Sequence, residues 1–220
     1  MGSEGLELLG AGLTFPAARG GDPLLERFGD AEMISEMRKV FFDDGANSLG
    51  HSYAGLMRGP GGRSDLEDVI VLLRDEPWSK RAVVMLCSPP NGKVPCINVV
   101  QFLLREDLQT IYFARGQDAF RKFYADALCV GEMARRVAAG LSVAPGTITG
   151  FIGSSHIYHR DRPAIDRLLE QAGRYAPRAD RKSARARQRK PSRAQVVPLL
   201  EPSPRRRDIA GPGCRGNGAS

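Results

Sequence analysis

The chain has 220 residues and a formal net charge of +7, enough length for one sizeable domain with a tail. The charge is uneven: residues 172–220 hold 13 Lys/Arg against 3 Asp/Glu, leaving 19 against 22 in the remainder, so the basic average is no sign of a nucleic-acid-binding fold. No apolar run approaches the ~18 residues of a membrane span, the N-terminus lacks a basic-then-apolar signal pattern, and the four cysteines form no CxxC and no metal-like pairing with histidine, which argues against secretion and a zinc site and for a reduced, cytoplasmic protein.

In chain order, SDLEDVIVLLRD (64–75) opens on a serine cap and carries a helical apolar face. AVVMLC (82–87) is a short apolar run bounded by turn residues, a buried strand. INVVQFLLR (97–105) and TIYFAR (110–115) are rich in β-branched and aromatic residues, and the polar EDLQ between them suggests an antiparallel pair. The segment 118–141 repeats its apolar positions with helical spacing, and Gly140 is its expected stop. TITGFIG (147–153) reads as a strand leading into SSHIYHRD, and PAIDRLLEQAG (163–173) as a helix opened by Pro and closed by Gly. Two domains are expected: a mixed α and β body over 1–175, and an Arg/Pro-rich tail over 176–220. The tail cannot bury enough apolar surface to offset chain entropy and is expected to be disordered. It is a solvated tail or a nonspecific contact for nucleic acid and other acidic surfaces.

Three clusters could carry chemistry. Cys96 in KVPCINVVQF is a thiol at a strand mouth, with Lys80, Arg81 and Arg115 as basic sources near other strand ends. It is either a small buried hydrophobe or a nucleophile favoured by electropositive neighbours. In ARGQDAF (114–120), Arg115 is expected to end a strand and Asp118 to begin a helix. That arrangement suits an anion, or is simply a surface arginine and a capping aspartate. His156 and Tyr158 are two apart and share a face in extended chain, as two hydroxyl contacts on a sugar would, or as two satisfied polar side chains under a loop.

Taken together, SLGHSYAGLMRG, SKRAVVM, VPCINVVQF, ARGQDAF and SSHIYHRD resemble, in order and spacing, the thymidylate synthase family, which includes the cytidylate hydroxymethylases. The resemblance runs from about Gly45 to Asp161, with a weaker trace in GLELLG and LLERFGDA, and ends near residue 175. It implies an α+β fold around a twisted, mostly antiparallel sheet flanked by helices, and a homodimer formed through the sheet face. It implies a pyrimidine nucleotide as substrate, 5,10-methylenetetrahydrofolate as co-substrate and no metal. Cys96 falls at the nucleophile that adds to C6 of the pyrimidine, since C5 is a poor nucleophile until C6 is saturated. Arg115 falls at a phosphate ligand, Lys80 and Arg81 at the pair that reaches the partner's phosphate, His156 and Tyr158 at the sugar contacts, and Asp118 at a folate contact.

The departures are informative. Uracil-specific members carry asparagine eight residues after the family aspartate, and that position here is Asp126. An ionised carboxylate only accepts hydrogen bonds, so it suits cytosine N4–H₂ and repels uracil O4; with a proton shared with N3 the contact becomes bidentate. The resemblance therefore implies a cytidylate (CMP or dCMP) hydroxymethylase, with thymidylate synthase activity on dUMP and a catalytically inactive nucleotide-binding or dimerising homologue as alternatives. A solvent-facing helix position is the plain alternative for Asp126. Ile97 replaces the histidine that usually follows the nucleophile, Gly116 a phosphate-binding serine, and Lys80 an arginine. The arginine preceding the family's first strand has no counterpart. The catalytic glutamate's place falls on Asp22 by spacing, with Glu26 the nearest glutamate, and neither is assigned. The family's closing C-terminal segment is replaced by the basic tail.

Overall fold

The computed structural model describes residues 5–17, 23–43, 52–59, 62–86 and 94–175, all within the first of the two units into which the chain divides, residues 1–175. Cys87, Asp22 and the basic segment 176–220 lie outside the described residues. The elements are β1 (Gly5–Pro16), α1 (Pro23–Phe28), α2 (Ala31–Phe42), α3 (Tyr53–Leu56), α4 (Asp65–Asp75), β2 (Val83–Met85), β3 (Ile97–Leu104), β4 (Leu108–Asp118), α5 (Phe123–Leu141), β5 (Pro145–Tyr158) and α6 (Arg162–Tyr175).

The strands form one five-stranded sheet in the order β1-β5-β4-β3-β2. Every neighbouring pair is antiparallel except β4 with β5. The α+β class and the mostly antiparallel sheet match the expectation. The parallel pair follows from α5, which carries the chain back along the sheet between its two central strands. One face of the sheet, including Val84, Val100, Tyr112, Ala114, Ile148 and Ile152, is buried in a core shared with Val130, Met133 and Val137 of α5 and with α2 and α4. On the opposite face Met85, Val99, Phe113 and Phe151 follow one another across adjacent strands. Phe113 is 45% and Phe151 53% exposed.

Local chemistry accounts for several element ends. Ser64 caps α4 by accepting from the Leu66 N–H while Glu67 accepts from the Ser64 N–H, a reciprocal pairing worth about 1 kcal/mol. The turn after β3 is shorter than EDLQ, because Leu108 and Gln109 already belong to β4 and Leu108 is fully buried. Gly140 does not stop α5. The helix runs to Leu141 and ends on Ser142 in left-handed conformation. Gly140 is instead a close-approach residue: a Cβ there would sit 2.6 Å from Cδ1 of Ile70 on α4.

A second glycine is needed for the same reason. Gly150 pairs with Tyr112 across β4 and β5, and a Cβ there would lie 2.6 Å from the buried Tyr112 ring. Gly150→Ala is expected to destabilise the protein by about 2 kcal/mol, the usual cost of overpacking, measurable as a lower midpoint in urea unfolding.

Candidate active site

The sheet topology brings most of the singled-out residues to one end. β4 and β5 finish there, and β3 begins there. Cys96 is half-buried immediately before β3, and its carbonyl accepts the Arg115 N–H at 2.9 Å. The register of β3 against β4 shifts between Ile97 and Val99. At that irregularity the Asn98 side chain accepts from the Arg115 N–H and donates to the Pro95 carbonyl. The Arg115 guanidinium donates to the carbonyls of Pro95 at 3.0 Å and Val94 at 2.7 Å. The arginine thus straps the segment that carries the cysteine.

Asp126 lies in the first turn of α5 and is 3% exposed, so it is not a solvent-facing helix residue. Gln117 Nε2 donates to its Oδ2 at 3.1 Å, whereas Oδ1 is buried with no hydrogen-bond partner. Burial raises the Asp126 carboxyl to about pKa 7; Gln117 and Lys122 oppose that rise and Asp118 adds to it. Burial, and next the negative charge of Asp126, push the Cys96 thiol up, while Arg115 and Lys122 pull it down. Tyr53 belongs to the same cluster: its hydroxyl oxygen accepts the Ile97 N–H at 3.2 Å. Burial and then Asp126 raise this phenol as well.

Asp118, His156 and Tyr158 form a second group at the same sheet end. Asp118 is not a helix start. It is the last residue of β4, paired in register with His156, and its Oδ1 accepts the N–H groups of Phe120 and Arg121. The strand outlasts the helical apolar pattern because its backbone keeps pairing with β5, and α5 begins only at Phe123. His156 and Tyr158 lie within β5, their rings 5.3 Å apart and nearly perpendicular. Arg121 makes a two-pronged ion pair with the buried Asp161, Nε to Oδ2 at 2.8 Å, and so ties the turn after β4 to the turn after β5. Beside this turn a cavity of about 500 Å³ is lined by Leu25, Phe28, Met33, Phe120, Tyr124 and Leu168, among others.

Lys80 and Arg81 are not part of either group. They precede β2 at the sheet edge, where the Lys80 carbonyl accepts from Gln101. Gln101 is five residues along β3 from Cys96, about 16 Å at strand spacing. The Arg81 guanidinium is held by both carboxylate oxygens of Glu76 at 2.7 Å. Glu26 is exposed on α1. Sequence reading missed Gln117, Arg121 and Asp161. Among the described residues no cluster of three metal-ligating side chains occurs, and no helix is long and apolar enough to cross a membrane.

The sequence model of the family described as thymidylate synthase matches residues 35–196, a longer stretch than the motifs span on either side. Curated relatives carry the name "Putative thymidylate synthase". One from Methanothermobacter thermautotrophicus is 27% identical over 136 residues, 60% of this chain and 61% of that protein. One from Methanocaldococcus jannaschii is 30% identical over 125 residues, 52% and 53% of the two. One from Methanococcoides burtonii is 27% identical over 148 residues, 63% and 67%. The chain spans about three-fifths of the first relative's length and about half of the second's. With the family model matching well over half of its length, the chain belongs to the thymidylate synthase family.

Proposed function

We propose that this protein is a pyrimidine nucleotide C5 one-carbon transferase that prefers a cytidylate, CMP or dCMP, and releases a hydroxymethylated product. The observation that carries the cytosine preference is the buried Asp126 carboxyl, which has one unpaired oxygen and whose charge acts on the Cys96 thiol. A buried site built for one hydrogen-bonding pattern rejects the wrong base far more strongly than shape does.

In this reading the Cys96 thiolate adds to C6, and the C5–C6 electron pair is released to make C5 nucleophilic. C5 would then bond to the incoming carbon and lose its proton, the folate nitrogen that carried that carbon would leave with its electron pair, a water would add to the carbon to give the hydroxymethyl group, and the Cys96 sulfur would be expelled as the ring double bond re-forms. Arg115 exchanges its carbonyl partners of Pro95 and Val94 for the nucleotide phosphate and favours the thiolate. His156 and Tyr158 hold the sugar hydroxyls. The co-substrate, 5,10-methylenetetrahydrofolate, supplies the one-carbon unit when bound. The residues present fit such a flat, aromatic group: the apolar cavity has the size and lining of a small-molecule site, and Asp118 holds the turn whose Ala119, Phe120 and Arg121 line it. Incubation with the folate and CMP, dCMP or dUMP, followed by product mass, tests the whole reading. A gain of a hydroxymethyl group on CMP or dCMP is expected; turnover of dUMP alone would establish the alternative, thymidylate synthase activity, which the names of the relatives favour.

The same reading includes a homodimer. Met85, Val99, Phe113 and Phe151 make an apolar row on an exposed sheet face, the kind of surface a second copy covers. Lys80 and Arg81 lie too far along the sheet to serve their own Cys96, so they would complete the partner's phosphate site, Arg81 leaving Glu76. Mixing inactive Arg81→Ala with inactive Cys96→Ala is expected to restore about a quarter of wild-type turnover: half of the dimers are mixed, and each has one intact site. No recovery on mixing would count against shared sites. A nucleic-acid contact through the basic segment remains part of the proposal for residues 176–220, and loss of binding on their deletion is its test.

A further inference from the structure

Gln117 is 2% exposed, and its side-chain amide interacts with two other buried groups, Asp126 Oδ2 and the Tyr112 hydroxyl. Neither that hydroxyl nor Gln117 Oε1 makes a hydrogen bond of regular geometry, and Asp126 Oδ1 has no partner at all. Three polar side chains, Gln117, Asp126 and Tyr112, are therefore buried beside the nucleophile with only part of their hydrogen bonding satisfied. A fold tolerates that where a ligand completes the pattern.

We propose that Gln117 is a positioning and specificity-determining residue: by donating to Oδ2 of Asp126 it selects which carboxyl oxygen carries the proton, and the Gln117–Asp126 pair, not Asp126 alone, reads the base. The inference rests on the cytosine reading given above. A neutral carboxyl has one carbonyl oxygen, which accepts well, and one hydroxyl, which donates. An amide NH₂ can only donate, so it holds Oδ2 as the carbonyl oxygen and leaves the proton on Oδ1. Oδ1–H then donates to cytosine N3, and Oδ2 accepts from N4–H₂. Uracil presents a donor at N3 and an acceptor at O4, so it needs the opposite proton placement, in which Oδ2–H must face O4 while Oδ2 still receives the Gln117 donor. The amide therefore works against uracil without touching it. Burial supports the premise, since it keeps a substantial fraction of Asp126 protonated near neutral pH. The charged and titratable neighbours are Lys122 and Asp118, with Cys96, Tyr53, Tyr112 and Cys129 in its field.

The test is the ratio of dissociation constants for dCMP and dUMP, measured on the full chain without folate, for the wild type and for Gln117→Met. Methionine keeps the length of the side chain and removes the donor. The expected result is a wild-type preference for dCMP that falls about tenfold in the variant, the loss of one buried hydrogen bond to a discriminating group. An unchanged or larger preference, or equal weakening of both nucleotides, overturns the assignment and leaves Gln117 a structural residue. Absence of any dCMP preference in the wild type overturns the cytosine reading itself, and this inference with it. If Gln117→Met does not fold, Gln117→Leu also removes the donor with a side chain of similar volume, and is read by the same ratio.

Discussion

Cys96→Ala is expected to abolish the covalent complex with a 5-fluoropyrimidine nucleotide and to lower turnover at least about 10³-fold, because in the proposed mechanism the Cys96 sulfur is the group that saturates C6. The readout is intact-protein mass after incubation with the analogue and folate. The wild type should gain the mass of the ternary adduct, and Cys96→Ala should not. Cys129→Ala serves as the control: Cys129 is buried within α5 and should leave the adduct intact. The thiol of Cys96 is raised by burial and by Asp126 and lowered by Arg115 and Lys122. Its thiolate fraction below the pKa grows about tenfold per pH unit, so adduct formation in the wild type should speed up steadily across the neutral range. A wild-type protein that forms no adduct at any pH would favour the alternative of a catalytically inactive, nucleotide-binding or dimerising homologue.

Asp126→Asn should exchange the two bases. Asparagine offers both a donor and an acceptor, so it can satisfy uracil O4 and N3–H, whereas the carboxyl cannot when ionised. The ratio of kcat/KM for dCMP over dUMP is expected to fall at least about 10³-fold, within the range that buried polar mismatches reach. A ratio that hardly moves would remove Asp126 from base recognition. The substitution should also change stability, with a defined sign. The folded-state carboxyl titrates near 7 and its ordinary value is 3.8, so the folded state holds the proton more tightly than the unfolded chain. That linkage is favourable below about pH 4 and is lost as pH rises from 4 to 7, at a cost on the order of 4 kcal/mol once ionised. The uncharged amide of the variant carries no such cost. Asp126→Asn is therefore expected to gain stability relative to wild type as pH rises through that window, and urea unfolding at pH 4.5 and 7.5 measures the difference.

Ser64 and the apolar face after it gave α4 within a residue, because the cap and the periodicity agree. Cys96, Arg115 and Asp126 came through the motifs, and the fold does gather them. Gln117 did not. In a strict two-residue alternation it shares the face of Arg115, yet it is buried while Arg115 is exposed, since the alternation slips around Gly116. Nothing in a one-dimensional pattern reports such a slip. Arg121 and Asp161 escaped for a different reason: they are 40 residues apart and meet only because β4 and β5 run parallel. The Asp118 boundary was missed because Ala119 and Phe120 extend a helical spacing that pairing with β5 overrides.

The place of β1 has a consequence for how the chain is made. Its partner is β5, and the register joins Gly5 to Tyr158 and Pro16 to Thr147. The first strand of this sheet to leave the ribosome therefore waits for the last. At about 5–20 residues per second, more than a hundred residues of synthesis take several seconds to tens of seconds. Throughout that interval Leu6, Leu8 and Leu9 have no sheet edge to join. Biogenesis of this protein is thus exposed at β1: the rest of the sheet can assemble as it emerges, whereas this strand must be kept from other partners until β5 exists.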